Sequence, residues 1–212
     1  MKQKELTVCE AAAKRRATRA FQSKLIPEKI LQKIVGVIRM APSSFNLQPV
    51  RLVVIQDPKQ KEALSAAAWN QKQIIDAPAT FVFAVSIRGW EKNLEKMISI
   101  ASESGVWDEK RIEYVRKSAP AFQNNLGDKE REYAVKDAMI AATHAALAAE
   151  SLGLASCFMN GWIENDVKKV IGAEGNSDIA IAVLLPIGYP QSTPLNPGRL
   201  PQIKTVFADR LK

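Results

Sequence analysis

The stretch APSSFNLQP at residues 41–49 concentrates side chains that could bind a polar ligand. It follows a largely helical segment, and its proline stops that helix. Its side chains that can both donate and accept hydrogen bonds are Ser43, Ser44, Asn46 and Gln48. This density is typical of a surface that matches a flat, hydrogen-bonding ligand. A loop that only caps its neighbours is the other interpretation, because Pro, Ser and Asn are also turn formers.

Basic residues form one dense group, which consists of Lys14, Arg15, Arg16 and Arg19. The forked donors of a guanidinium match the oxygens of a phosphate, so this group could hold one phosphate. Arg199, near the C-terminus, is a second possible phosphate ligand. Solvated surface charge explains both features equally well.

Two further segments carry candidate binding groups. Asn70 and Gln73 lie three residues apart in AWNQKQIIDAPATF and would share one face of a helix there. In CFMNGW at residues 157–162, Asn160 and Gly161 precede a short predicted helix, where free backbone N–H groups can meet an electron-rich atom. Surface amides are common, so neither segment is decisive alone.

The usual catalytic constellations are missing from the sequence. The only histidine, His144, lies inside an Ala-rich helical pattern, where a packed core or interface residue is expected. No zinc-protease, nucleophile-elbow, phosphate-loop or dinucleotide-binding motif occurs. If the protein is an enzyme, a cofactor is therefore expected to supply the reactivity.

Length and composition favour one globular domain over residues 1–212, with 47% hydrophobic residues. The net charge of +8 raises the possibility of nucleic acid binding, but the basic residues are spread along the chain without interleaved aromatic residues. Cys9 and Cys157 lie too far apart in sequence to suggest a disulfide framework or a metal site. With no apolar run suited to a signal peptide or a membrane span, we expect a cytoplasmic protein that binds neither membranes nor metal.

The candidate residues need a scaffold, and hydrophobic patterning predicts a mixed α+β domain with helices around a central sheet. Strands are predicted in VRLVVIQ, TFVFAVSI and IAIAVLLPIGY. The predicted helices are a short one in LTVCEAAAK, one after Pro27, one from about Pro58 to Ala68, weakly bounded ones within 90–132, and an Ala-rich one that ends at Gly153. The proline-rich last twenty residues are expected to form an extended tail that lies on another surface.

The order RRATRAF, APSSFNLQP, NQKQIIDAP, Ala-rich helix, CFMNGW and GRLP resembles the FMN-dependent nitroreductase superfamily from about residue 10 onwards. The resemblance implies an α+β nitroreductase-like fold with a mixed, mostly antiparallel sheet. It also implies an intertwined homodimer with two FMN molecules at the subunit interface. The serines and asparagine of PSSFN would then come from one subunit and border the FMN held mainly by the other.

The resemblance also implies roles for individual residues. Arg15 and Arg199 would bind the FMN phosphate, and Arg19 would approach the pyrimidine end of the ring. Asn70 and Gln73 would bind the polar ring edge, and the backbone N–H groups of Asn160 and Gly161 would point toward N5. The complete implied set of cofactor-binding residues is Arg15, Arg16, Ala17, Arg19, Pro42, Ser43, Ser44, Asn46, Gln48, Asn70, Gln73, Phe158, Met159, Asn160, Gly161 and Arg199.

The sequence departs from the family pattern at Ala17, where serine is frequent, and at Asn160, where some members have glutamate. The implied activity is hydride transfer from NAD(P)H through FMN to a quinone, nitroaromatic or similar small oxidant in two half-reactions, without a catalytic side chain. Other activities in the superfamily, such as dehalogenation, enoyl-type reduction or flavin fragmentation, stay open. A basic nucleic-acid-binding protein is the alternative from outside the enzyme class.

Overall fold

A computed structural model describes residues 5–211 of the 212-residue chain. Each strand is preceded along the chain by one to three helices, and a charged helical pair lies in the middle. The helices are α1 Val8–Lys14, α2 Glu28–Arg39, α3 Pro58–Ala67, α4 Lys72–Asp76, α5 Trp90–Glu103, α6 Glu109–Asn124, α7 Glu130–Ser151 and α8 Glu164–Val170. The strands are β1 Val50–Ile55, β2 Ala79–Ser86, β3 Ala155–Ser156 and β4 Ile179–Gly188.

The four strands form one sheet in the order β1-β2-β4-β3, and every neighbouring pair is antiparallel. Within residues 5–211, parallel pairing is limited to a single bridge between Ala17 and Ser156. The predicted α+β class with a mostly antiparallel sheet is therefore confirmed. Sequence patterning missed β3, because two residues are too few to show a strand period.

Both faces of the central strands are buried, as the continuous apolar run in β4 predicts. Phe81, Phe83 and Val85 of β2 pack in one core with the alanines of α7 and the buried side of α2. Val82 and Ala84 face the opposite way and pack against α3, α4 and α8. This alternation is the two-residue period of a strand that is covered on both sides.

Helix α2 buries one stripe, Leu31, Ile34 and Ile38, at the spacing of an amphipathic helix. Helix α7 ends as predicted, because Gly153 has φ 79° and Leu154 N–H returns to the carbonyl of Ala149 at 2.9 Å. Seven alanines of α7 are buried, so small side chains bring the helix close to the sheet. Among residues 5–211, no helix combines the length and apolar character needed to span a membrane.

The segment 90–132 contains α5 and α6, which form a separate small core with Trp90, Leu94, Val115 and Ala119. Leu47 joins this core from the APSSFNLQP segment. The helical pair therefore packs directly against the polar segment APSSFNLQP. After Pro190 the chain forms a tail with little regular structure, in which Leu195, Leu200 and Ile203 are exposed.

Candidate functional site

Residues 14–19, which include one lysine and three arginines and are here called the Arg segment, lie along the β3 edge of the sheet. Ala17 forms its bridge with Ser156, and the N–H of the buried Thr18 donates to the Ser156 carbonyl at 3.1 Å. These contacts fix the backbone from which Arg15, Arg16 and Arg19 extend.

The three arginines of this segment differ in their surroundings. Nη1 of Arg16 donates to the carbonyls of Ala13 and Arg15, at 2.7 and 2.8 Å. The Arg15 guanidinium lies 5.7 Å from the centroid of the Phe158 ring, within range of a cation–π contact. Neither Arg15 nor Arg19 forms an ion pair with any residue that the structure describes. Their charges are therefore available to an anionic ligand.

A buried acid lies next to the Arg segment. Glu150 of α7 is 6% exposed, and its carboxylate lies 3.8 Å from Nζ of Lys14. Burial raises the pKa of the Glu150 carboxyl, and the charges of Lys14, Arg15 and Arg16 act in the opposite direction. Burial likewise raises the pKa of the Cys157 thiol against the effect of Arg19 and Arg15.

Residues 155–161, here called the edge segment, continue β3 alongside β4. Cys157 N–H donates to the Pro186 carbonyl at 3.2 Å, and Met159 N–H donates to the Leu184 carbonyl at 3.0 Å. Asn160 and Gly161 then leave the sheet, and their N–H groups donate to no other residue within 5–211. Helix α8 begins only at Glu164, so these two N–H groups belong to the segment before the helix and not to its first turn.

Residues 68–71, here called the Trp turn, dock onto the edge segment. Nε2 of Gln71 donates to the Gly161 carbonyl at 2.8 Å, and Nε2 of Gln73 donates to Oε1 of Gln71 at 3.0 Å. A Cβ atom added at Gly161 would lie 2.8 Å from two ring carbons of Trp69 and 2.9 Å from Nε2 of Gln71. Glycine at 161 is therefore what allows this close approach.

The prediction that Asn70 and Gln73 share a helix face is wrong. Asn70 lies in the turn between α3 and α4 with φ 57°, whereas Gln73 is a buried residue of α4. Sequence reasoning also missed Trp69 and Gln71 as neighbours of Gly161. The segment AWNQKQ contains Trp69, but no sequence signal indicates that this tryptophan contacts CFMNGW, and only the tertiary structure shows the contact.

Residues 42–48, here called the Ser loop, connect α2 to β1. The Ser43 hydroxyl accepts from Gln48 N–H at 2.9 Å, and Oδ1 of Asn46 accepts from Nε2 of Gln48 at 3.2 Å. Ser44 N–H donates to the Asp137 carboxylate of α7 at 3.3 Å. Part of the loop lines a cavity of about 440 Å³ between α2, β1 and α7.

Backbone strain is concentrated in these two loops. Six non-glycine residues of the described chain have positive φ, and five of them lie in the Ser loop and the Trp turn: Phe45, Asn46, Gln48, Trp69 and Asn70. Such conformations persist only where the surroundings enforce them, and they cluster at ligand-binding sites. The strained residues therefore lie in two loops that also contain predicted ligand-binding residues.

The structure brings the predicted residues into two groups. The first contains the Arg segment, the edge segment and the Trp turn, and the second is the Ser loop. No hydrogen bond or ion pair joins the two groups within residues 5–211. Arg199 joins neither group, since its guanidinium donates to the carbonyl of the adjacent Gly198.

The described residues give little support for catalysis by histidine or for a metal site. His144 is half-buried, and its Nδ1 lies 3.0 Å from the Ile140 carbonyl of the preceding helical turn, which is a local structural contact. No cluster of three His, Cys, Asp or Glu side chains suited to a metal ion occurs within residues 5–211.

Comparisons with known proteins show which sequences and structures this chain is similar to. The model of the Nitroreductase family matches residues 12–189. An NADH dehydrogenase of Thermus thermophilus is 31% identical over 197 residues, with 93% of each chain covered. Among solved structures, a nitroreductase family protein of Streptococcus pneumoniae has 23% identity and a TM-score of 0.81, covering 95% of this chain and 100% of that one. A protein of Exiguobacterium sibiricum solved in complex with FMN has 20% identity and a TM-score of 0.88, covering 98% of this chain and 100% of that one.

Proposed function

This chain belongs to the nitroreductase family, and we propose that it is an FMN-dependent oxidoreductase that uses NAD(P)H to reduce a quinone, a nitroaromatic compound or a similar small oxidant. The observation that carries the proposal is the arrangement along the β3 edge. Arg15 and Arg19, which have no carboxylate partner, lie on the Arg segment, which pairs with Ser156. The unpaired N–H groups of Asn160 and Gly161 follow Ser156 in the edge segment.

The described residues fit FMN, which has an anionic phosphate at one end and a flat, polar ring at the other. Arg15 offers an unpaired guanidinium for the phosphate, and Arg199 can join it if the exposed tail folds over the site. Arg19 supplies positive charge for the pyrimidine end of the ring. The amide of Asn70 offers hydrogen bonds to the polar ring edge, and Gln73, whose Nε2 donates to Gln71, keeps an oxygen that can accept one.

The backbone of the edge segment provides the last element of the proposed site. The unpaired N–H groups of Asn160 and Gly161 can donate to the ring nitrogen at which hydride is exchanged. Gln71 holds the Gly161 carbonyl at 2.8 Å, and this contact orients the peptide groups on either side of the glycine. Bound FMN would supply the redox chemistry by accepting hydride from NAD(P)H and passing the electrons to the oxidant.

The chain's own contribution is therefore binding, orientation and electrostatic support. Positive charge from Arg19 favours the electron-rich form of the ligand. The proposal needs no side-chain acid or base, in agreement with the local contact of His144.

We propose further that the protein is a homodimer in which the Ser loop of one subunit completes the site of the other. Ser43, Ser44 and Asn46 lie outside the group along the β3 edge, which supports a contribution from a second chain. The exposed apolar side chains of the tail support the same arrangement, with exposed fractions of 92% for Leu195 and 79% for Ile203. Val135, Met139 and Ile140 add an apolar cleft on α7.

The visible absorption spectrum of the purified protein, followed by anaerobic addition of NADH and NADPH separately, tests the proposal. We expect flavin bands that bleach with at least one nucleotide and return when a quinone is added. A colourless protein that takes up no added FMN would contradict the proposal. Salt-dependent affinity of that colourless protein for DNA would then support the nucleic-acid alternative.

A further inference from the structure

Asp137 is a buried acid that no sequence motif marks. It lies on the inner side of α7, with 8% of its surface exposed. Its carboxylate forms no ion pair with any described residue, and Ser44 N–H donates to it at 3.3 Å. A buried carboxylate is costly without partners, and an apolar residue would suit this helix better for packing alone.

The Ser loop to which Asp137 is bonded has a conformation that needs external support. Phe45, Asn46 and Gln48 have φ values of 50, 57 and 48°. Each such conformation is unfavourable by about 1–3 kcal/mol, so it persists only where contacts with the surrounding structure enforce it. Residues 45–48 contain no glycine, and three of the four are left-handed. We therefore do not expect this segment to keep its shape without contacts from other elements.

Helix α5 and strand β1 support the C-terminal part of the loop. Nδ2 of Asn93 donates to the Leu47 carbonyl at 2.8 Å, and Nη1 of Arg51 donates to the Gln48 carbonyl at 3.1 Å. At the N-terminal part, the Ser43 hydroxyl bonds within the loop to Gln48 N–H. Asp137 is the residue that ties this part to α7, the helix that packs on the sheet.

We propose that Asp137 is a positioning residue that fixes the Ser loop through the N–H of Ser44, and so presents Ser43, Ser44 and Asn46 to the cofactor. The inference rests on the proposed function for the identity of the ligand. That Asp137 fixes the Ser loop does not depend on the proposed function. Asp137 acts through the loop and is not itself a ligand of the cofactor. Burial raises the pKa of the Asp137 carboxyl, and the hydrogen bond from Ser44 opposes that rise.

Three substitutions separate a hydrogen-bond acceptor from a packing role. Asp137→Asn keeps an oxygen that can accept from Ser44 N–H, whereas Asp137→Leu has similar size and no acceptor. Asp137→Ala provides a second variant without an acceptor, in a helix that already contains many alanines. Glu132→Gln makes the same acid-to-amide change at an exposed position of α7 and serves as the control.

Hydrogen exchange of a peptide covering residues 42–49, measured on protein without added flavin, is the first readout. We expect about tenfold faster exchange of the Ser loop in the Leu and Ala variants, and near wild-type exchange in the Asn and Glu132→Gln variants. A peptide from β2 provides the internal reference, because general unfolding would accelerate its exchange as well. Unchanged loop exchange in both variants without an acceptor, or equal acceleration in Asp137→Asn, would overturn the proposal.

Flavin affinity is the second readout, and it separates the positioning role of Asp137 from the proposed function of the protein. If wild-type protein binds FMN, we expect about tenfold weaker binding in Asp137→Leu and near wild-type binding in Asp137→Asn. Equal binding by the Leu variant would refute presentation of the loop to the cofactor. A wild-type protein that binds no FMN would refute the proposed function, and the exchange data would still decide whether Asp137 fixes the loop.

Discussion

The contact between the Trp turn and Gly161 predicts that Gly161→Ala is destabilising. The added Cβ would lie 2.8 Å from ring carbons Cε3 and Cζ3 of Trp69 and 2.9 Å from Nε2 of Gln71. Real Cβ atoms do not approach other heavy atoms so closely, so the ring and the amide must both move. Movement of the amide also breaks its hydrogen bond to the Gly161 carbonyl.

The size of the effect follows from these contacts. Overpacking in a close-packed core is unfavourable by about 1–3 kcal/mol, and because Trp69 is 66% exposed we place this contact in the lower half of that range, about 1–2 kcal/mol. Replacing glycine by alanine reduces the entropy of the unfolded chain, which offsets about 0.4–1 kcal/mol of that loss. With the middle of that offset, about 0.7 kcal/mol, we expect a net loss of about 0.3–1.3 kcal/mol in the free energy of unfolding, or about 1–5 °C in Tm for a chain of this length.

Gly36→Ala provides a matched control with the opposite sign. Gly36 lies in α2, is exposed, and has no atom within 4 Å of the position that a Cβ would occupy. Alanine favours a helix interior over glycine by about 0.5–1 kcal/mol, so this variant is expected to be more stable than the wild type.

Urea unfolding followed by circular dichroism, at one fixed protein concentration, measures both variants. A Trp69→Ala background then removes the ring from the contact, and Gly161→Ala should be less destabilising there by at least about 0.5 kcal/mol. Wild-type stability of Gly161→Ala, or an equal loss in both backgrounds, would refute the close contact. The flavin content of the same samples reports whether flavin binding at the N–H groups of residues 160 and 161 requires the close contact between Trp69 and Gly161.

Three further predictions concern charge and assembly. Arg15→Ala, alone or combined with Arg199→Ala, should weaken FMN binding roughly tenfold or more, and unchanged flavin content of the double variant would refute the phosphate assignment. Because burial raises the folded-state pKa of Glu150, its stabilising contribution is complete below the unfolded pKa and is lost as pH rises through the folded pKa. Glu150→Gln should therefore be more stable than the wild type at about pH 8, with a gap that narrows toward about pH 4 in urea unfolding; a constant gap would contradict this. Ile203→Asp should shift sedimentation toward a monomer if the tail packs on a partner, whereas Val106→Asp, also highly exposed, should not.

The hydrophobic pattern was sufficient to predict the three longer strands and the main covering helices, but not the two-residue strand β3. Strand β4 is apolar at nearly every position, and the structure buries it on both faces. Gly153 ends α7 because a left-handed residue is required there, and glycine adopts that conformation without strain. These features depend on local sequence, so they could be read without the fold.

Contacts between distant segments could not be read in the same way. The approach of Trp69 to Gly161 joins residues more than ninety positions apart, and no local period encodes it. The bond from Ser44 to Asp137 is of the same kind, since one buried acid in an Ala-rich run resembles a chance polar residue. Family resemblance supplied the candidate ligands, but only the tertiary structure showed which residues hold them.

Helix α7 explains why one chain presents its candidate ligands in two groups. The buried acids that the structure describes are Asp137 and Glu150, and both lie on this helix. Asp137 contacts the Ser loop, whereas Glu150 contacts the Arg segment. Thirteen residues of helix separate them, which corresponds to about 20 Å at 1.5 Å per residue. A ligand held by the Arg segment would have to span this distance to reach the Ser loop of the same chain, and the proposed dimer, in which the Ser loop comes from a second copy, removes that requirement.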